Sequence, residues 1–257
     1  MKIGICASNV ENILLARKVG FEFVEIHCVG SVMNDEKYPT MLELSRTLPE
    51  NFMYSCNCLI PSELRLTGAD VDFEKIRKYA AKCTERLASL GVQMLVFGSS
   101  AAKRVPDGFA REDAMEQLAE AMRIFSDEAK KYGQRICIEP LRYCECNIIN
   151  KFEESVELMK MTDRENVGAH VDYFHHMQNG EPIDLLEDGA KYITHTHIAS
   201  PQDRTAPDRD DGADYKIFFD TLRRAGYFDT VSFEGNCEWS ESALTKMYEY
   251  LREVAGI

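Results

Sequence analysis

Strand-length strings rich in Ile, Val, Leu and Phe return along this chain with room for one helix between each pair. They are "KIGICAS" from Lys2, "FEFVEIHCV" from Phe21, "FMYSCNCLI" from Phe52, "VQMLVFGS" from Val92, "RICIEPL" from Arg135, "VGAHVDYF" from Val167, "YITHTHIAS" from Tyr192 and "TVSFEG" from Thr230. Each has the length and residue type of a buried β-strand. Between them the period changes. In "DFEKIRKYAAKCTERLASLG" and "REDAMEQLAEAMRIFSDEAKKYG" apolar residues recur every third or fourth position and a glycine stands at the expected C-cap, and "WSESALTKMYEYLREVAGI" reads as the last helix. Strand then helix, eight times in 257 residues, has the order and size of a closed (β/α)8 TIM barrel, an α/β fold forming a single domain over residues 1–257. The 45% hydrophobic composition supplies one large core, and no Pro/Gly/Ser-rich linker divides the chain. An open doubly wound sheet is the alternative, but "ICASNVENI" after the first strand lacks the glycine-rich turn that such a sheet uses for a nucleotide.

A barrel of this kind places its chemistry where strands end and βα loops begin. Strand five is expected to end at Glu139, strand six at Asp172, strand seven at His197 and strand eight at Glu234, with intervals of 33, 25 and 37 residues. Four adjacent strands then aim four potential ligands at one mouth. A carboxylate inside an apolar strand is costly to bury without a cation or a hydrogen-bonding partner, so three of them call for an explanation. Strand alternation puts His170 on the face of Asp172, and His195 on the face of His197, each a layer deeper. There a hydrogen-bonded barrel histidine, or a residue supporting a ligand, is at least as good a reading as ligation. His175, three residues after Asp172, can reach a bound ligand; His176 reads as an ordinary loop residue, and His27 as lining the pocket without touching metal.

The segments "IEPLRYCE", "VDYFHH", "THTHIASPQDR" and "GYFDTVSFEG" together resemble the xylose isomerase-like TIM-barrel superfamily, in particular its sugar isomerase and epimerase branch of the D-tagatose 3-epimerase type. The resemblance runs from the first strand to the last helix. It implies one divalent ion held by Glu139, Asp172, His197 and Glu234, with His175 and Arg204 contacting a carbohydrate substrate and Glu145 binding a sugar hydroxyl. This chain departs from the pattern where Arg142 and Tyr143 replace Asn-Arg, and in one extra residue between His197 and Arg204. Both changes bear on sugar identity more than on the metal.

Three carboxylates and one imidazole form a hard, mostly oxygen donor set that suits Mn²⁺ first, with Mg²⁺, Co²⁺ or Zn²⁺ as alternatives. An α-hydroxycarbonyl substrate chelated there would have its carbonyl polarised and the adjacent C–H acidified, so that proton loss gives an enediolate. Glu139 and Glu234 are the candidate catalytic pair, one removing a proton and the other returning one. Return to the opposite face gives an epimer and return to the neighbouring carbon an isomer; sequence leaves that open. A keto-inositol dehydratase or a C-glycoside-cleaving lyase would use the same chemistry. In "FGSSAAKRVPDG" after strand four, Lys103 and Arg104 could hold a substrate carboxylate or phosphate, or could be solvated charges on a turn.

Other classes fit less well. With 30 basic against 43 acidic residues and a formal charge of −13, the chain is a poor nucleic-acid binder. An endonuclease IV-like enzyme would also need further histidines, where strands three and four offer "SCNC" and "FGSS". A sugar-binding barrel without catalysis is disfavoured because every ligand position carries a competent residue. No apolar run reaches the roughly 20 residues of a membrane span, and the first residues do not form a signal segment, so a cytoplasmic enzyme is expected. A homo-oligomer is compatible with the chain. Nine cysteines, an odd number, point to reduced thiols, and Cys56/Cys58 and Cys144/Cys146 are weak metal signatures without a second matching pair.

Overall fold

The structure, a computed structural model, describes residues 1–257. Eight parallel strands close in chain order, with β1 pairing to β8. They are β1 (Lys2–Cys6), β2 (Phe23–His27), β3 (Met53–Asn57), β4 (Met94–Phe97), β5 (Arg135–Ile138), β6 (Val167–Asp172), β7 (Ile193–Ile198) and β8 (Thr230–Phe233). The fold is thus the (β/α)8 barrel that the eight apolar runs require. Helices Val10–Val19, Tyr38–Ser45, Phe73–Ser89, Arg111–Lys130 and Phe152–Thr162 follow the first five strands in turn, and Tyr215–Arg224 and Glu241–Ala255 follow the last two. After β6 the chain forms two short helices instead, Tyr173–Gln178 and Leu185–Gly189. No helix is long and apolar enough to cross a membrane.

Local chemistry starts and stops these elements. Asn9, Asp72, Asp214 and Ser240 each accept a backbone N–H in the first turn of the helix that follows. Gly20 and Gly256 end the first and last helices in the left-handed conformation, at φ 108° and 68°. The glycines expected to cap the third and fourth long helices sit slightly later. Leu90 and Lys131 are the cap residues, and Gly91 and Gly133 take positive φ only after a final tight turn. The expected ends of β5 and β8 also shift by one residue, to Ile138 and Phe233. Glu139 and Glu234 still sit on the ladder, because their backbone N–H groups donate to Phe97 O at 3.1 Å and Ile198 O at 3.2 Å.

Pleating divides the side chains between two environments. Outward residues such as Ile5, Ile26, Leu95, Ile138, Val171 and Phe233 join a core of 68 buried residues between strands and helices. Inside the barrel the apolar contribution shrinks to a separate cluster of Met94, Val96 and Cys137, with Phe23 packed over Gly4 and against His195. The rest of the mid-barrel is polar: Glu25, Ser55, His170, His195 and Ser232 are all fully buried. Barrels of this type ordinarily fill that space with branched aliphatic residues, so the polar interior has to be held by pairing or by a ligand.

Candidate metal centre at the barrel mouth

Glu139, Asp172, His197 and Glu234 each bring one ligand atom within 4.8 Å of the others, at the C-terminal end of the barrel. Asp172 is fixed by the helix that it starts. Its Oδ1 accepts the N–H groups of Phe174 at 2.7 Å and His175 at 3.4 Å, which turns Oδ2 toward the mouth. Glu234 is held from two sides: Oε1 accepts from Asn57 Nδ2 at 2.7 Å, and Oε2 is ion-paired with Arg204. The Glu139 carboxylate lies over Gly98, where any Cβ would collide with Oε2. Its own carbonyl accepts from Lys103 Nζ at 2.8 Å.

His197 owes its orientation to a residue from the far side of the barrel. Nε2 faces Glu25 Oε1 at 2.9 Å, so Nδ1 is directed at Glu139 Oε1, 3.4 Å away, and Glu234 Oε2, 3.2 Å away. Glu25 is itself enclosed, its Oε2 accepting from Ser55 Oγ at 2.8 Å and Ser232 Oγ at 3.0 Å and contacting His195 Nε2 at 2.7 Å. A carboxylate behind a ligating imidazole fixes its tautomer and raises its basicity. Burial opposes the charge on Glu25, but the imidazoles of His197 and His195 outweigh it and hold the carboxyl well below its usual value. Burial likewise disfavours a charged His197, yet Glu25, Glu234 and Glu139 together push it well above the ordinary imidazole range. Against the same penalty, His197 and Arg204 hold Glu234 down to about 2.

The donor atoms fit a cation better than they fit one another. Glu139 Oε1 and His197 Nδ1 are buried and neither makes a hydrogen bond, although they face each other. An imidazole whose surroundings draw positive charge to Nδ1, beside two buried carboxylates and a third that is half-buried, presents the field that a divalent ion would satisfy.

With this geometry established, comparison with known proteins is decisive for the family. Residues 13–254 match the family described as "Xylose isomerase-like TIM barrel". The chain belongs to the xylose isomerase-like TIM-barrel family. The 2-oxo-tetronate isomerase of Haemophilus influenzae is 32% identical over 133 residues, covering 51% of each chain. The inosose isomerase of Bacillus velezensis is 25% identical over 88% of this chain and 83% of its own. This chain thus spans about half the length of the first of these relatives and most of the second. Among solved structures, D-psicose 3-epimerase from Clostridium cellulolyticum, crystallised with D-tagatose, superposes with a TM-score of 0.85 at 19% identity over 99% of both chains, a likeness of fold. The relatives are named for isomerase or epimerase activities.

In this xylose isomerase-like barrel the mouth opens into a cavity of about 280 Å³ whose walls include Ile60, Ser99, Leu141, Glu145, His175 and Arg204. A larger cleft of about 730 Å³ lies outside the barrel against helix Phe152–Thr162 and contains none of the four clustered residues. His175 Nε2 stands 3.4 Å from Asp172 Oδ2 and 3.9 Å from both Glu139 and Glu145. Arg204, at φ 59°, reaches Asp172 Oδ2 at 3.5 Å as well as Glu234. Glu145 is gripped by Arg142, whose guanidinium also stacks 4.6 Å above Phe174.

The basic pair after strand four is used differently from its sequence reading. Lys103 is fully buried on the Glu139 carbonyl, and exposed Arg104 binds the Glu145 carbonyl at 2.5 Å, outside the cavity wall. His27 accepts the Gly30 N–H at 2.8 Å and is not part of the wall. His176 is not a plain loop residue: it is buried, 3.1 Å from Pro182 O and 3.5 Å from Glu181. His195 is the hydrogen-bonded barrel histidine that alternation suggests, whereas His170 has no hydrogen-bond partner at either nitrogen. β3 ends toward the mouth in Asn57 and β4 is followed there by Gly98, without imidazoles, and none of the CxC cysteines joins a ligand cluster. All nine cysteines are free thiols. Sequence reasoning missed Glu25, Asn57 and Gly98. Glu25 carried a usable signal, a carboxylate inside the apolar run "FEFVEIHCV".

Proposed function

We propose that this chain is a divalent-metal-dependent isomerase or epimerase of a small, uncharged polyhydroxy carbonyl compound, working by proton transfer through an enediolate. The carrying observation is the pair of buried, unpartnered atoms Glu139 Oε1 and His197 Nδ1 inside a four-residue donor cluster. Glu139, Asp172, His197 and Glu234 would hold the ion, Mn²⁺ by preference. When bound, it supplies Lewis acidity toward the substrate carbonyl and its α-hydroxyl.

The protein's own groups do the rest. Glu139 and Glu234 stand on β5 and β8, so they approach a substrate in the mouth from different sides, one taking the α-proton and the other returning it. His197 and Arg204 keep Glu234 ionised, and Asn57 fixes its other oxygen. His175 and Glu145 face the cavity as hydroxyl partners, with Arg142 locking Glu145 in place. Ile60 and Leu141 give the wall an apolar section that excludes water from the reacting carbon.

The uncharged substrate follows from how the nearby cations are used. Lys103 and Arg104 bind carbonyls, Arg142 binds Glu145, and Arg204 is balanced by Asp172 and Glu234. Once Asp172 and Glu234 turn to the ion, Arg204 alone remains to meet an anionic group, and it is set against the net negative charge that three carboxylates and one divalent ion leave at the mouth. Mn²⁺-loaded protein incubated in D₂O with ketoses, inososes, 2-oxo sugar acids and sugar phosphates tests this by NMR. Deuterium should enter neutral ketoses or inososes beside the carbonyl. Exchange confined to acids or phosphates would refute the charge argument, and no exchange in any member would refute the enzyme.

A further inference from the structure

One layer below the mouth, His170, His195 and His197 converge inside the barrel, fully buried, with a nitrogen from each within 4.8 Å of the others. His170 is the member that the proposed reaction leaves unexplained. Both of its nitrogens are buried and neither has a hydrogen-bond partner, although buried imidazoles are almost always satisfied. Its ring lies 4.2 Å from that of His197 and 5.6 Å from that of His195, and the latter two are 5.4 Å apart. With metal–nitrogen bonds near 2 Å, imidazoles sharing a tetrahedral ion have ring centres roughly 5 Å apart.

We propose that His170, His195 and His197 form a second cation site, rich in nitrogen and suited to Zn²⁺, which competes with the mouth for His197. The donor sets differ in kind: three carboxylates and one imidazole above favour Mn²⁺ or Mg²⁺, while three imidazoles below favour the later first-row ions. The shared ring makes the two positions exclusive. With the mouth loaded, Nδ1 of His197 is the ligand and Nε2–H remains on Glu25. With the interior loaded, Nε2 is the ligand and the proton moves to Nδ1, where it faces Glu139 and Glu234. His195 changes in the same sense, its Nδ1–H turning to Thr230 Oγ1, 2.7 Å away. Each change only moves a proton between the two nitrogens of one ring, so passing from the mouth-loaded to the interior-loaded state releases none. Glu25, still held by Ser55 and Ser232, becomes the counter-charge.

The test uses the full chain stripped of metal with a chelator. In a Glu139→Gln, Asp172→Asn double variant the mouth is disabled, and equilibrium dialysis with elemental analysis should still find one Zn²⁺ per chain. Co²⁺ in the same variant should show the intense visible bands of a four-coordinate site with three nitrogen donors. Adding His170→Phe or His170→Gln should remove both signals. Those substitutions in the otherwise intact chain should leave Mn²⁺ binding in place, read by electron paramagnetic resonance together with an unshifted thermal melt. The intact chain should take up one Zn²⁺, not two. Absence of Zn²⁺ from the double variant, or its retention without His170, overturns the site; two Zn²⁺ in the intact chain overturn the exclusion. Failure of the intact chain to bind Mn²⁺ would instead strike the mouth proposal, because the double-variant experiment does not depend on the mouth.

Discussion

The mouth of the barrel and the layer around Glu25 are built from the same materials, carboxylates and imidazoles on neighbouring strands, yet their hydrogen bonding differs sharply. Around Glu25 both carboxylate oxygens are engaged, by Ser55, His195, His197 and Ser232. At the mouth, Glu139 Oε1 and His197 Nδ1 are buried without partners, and Arg204 supplies the nearest positive charge. The Glu25 hydrogen-bond network behaves as scaffold, and the unpartnered atoms, at the mouth and on His170 beside that network, behave as receptors; His197 belongs to both. Polarity in a barrel interior is therefore informative only once its hydrogen bonds have been followed to their ends.

The contrast is broken most severely at Glu139. Under saturating Mn²⁺, Glu139→Gln should lower deuterium exchange about 10²- to 10⁴-fold, the range for loss of a positioned acid–base group; a rate within a few fold of wild type would remove it from the chemistry. Glu25→Gln attacks the scaffold instead. It should cost about 3 kcal/mol in denaturant melts of the metal-free protein and weaken Mn²⁺ binding about 10- to 100-fold by calorimetry, while the mouth ligands all remain.

The same residue gives the pH dependence. The folded pKa of Glu25 is depressed, so its contribution is complete above the unfolded value of about 4.3 and vanishes as pH falls through the folded value. Metal-free wild type should therefore lose its stability advantage over Glu25→Gln on acidification below about pH 4, and parallel curves there would contradict the pairing. Gly98→Ala is a subtler probe, placing a methyl group where Glu139 now lies. Mn²⁺ affinity should fall about tenfold with the thermal melt little changed, as expected for a displaced ligand in an intact shell. Arg104→Ala, at the exposed rim, should alter stability by no more than about 0.5 kcal/mol and substrate affinity hardly at all; a large loss of affinity would restore this arginine to the substrate site.

The barrel was legible in the sequence because strand and helix periods alternate cleanly, and so were the four clustered residues, since each is a polar residue ending an apolar run. Their boundaries were less so: whether β5 stops at Ile138 or Glu139 turns on one ladder hydrogen bond, donated by the Glu139 N–H to the Phe97 carbonyl, which no local pattern encodes. Glu25 escaped because it lies on β2, away from the four strands that carry the cluster in sequence, and its partners come from β3, β7 and β8. The functions of Lys103 and Arg104 escaped for a related reason. Both bind backbone carbonyls about 40 residues away, and carbonyls have no signature in a sequence.

Asp172 carries a further consequence. One oxygen caps the short helix that bears His175 while the other faces the mouth, so a charge at the mouth and the stability of the turn at residues 173–178 are linked through one carboxylate. Amide protons of Phe174 and His175 should then exchange with solvent more slowly when the centre is charged with metal. The turn would serve as an occupancy gauge, holding the His175 imidazole more firmly at the mouth once the centre is filled.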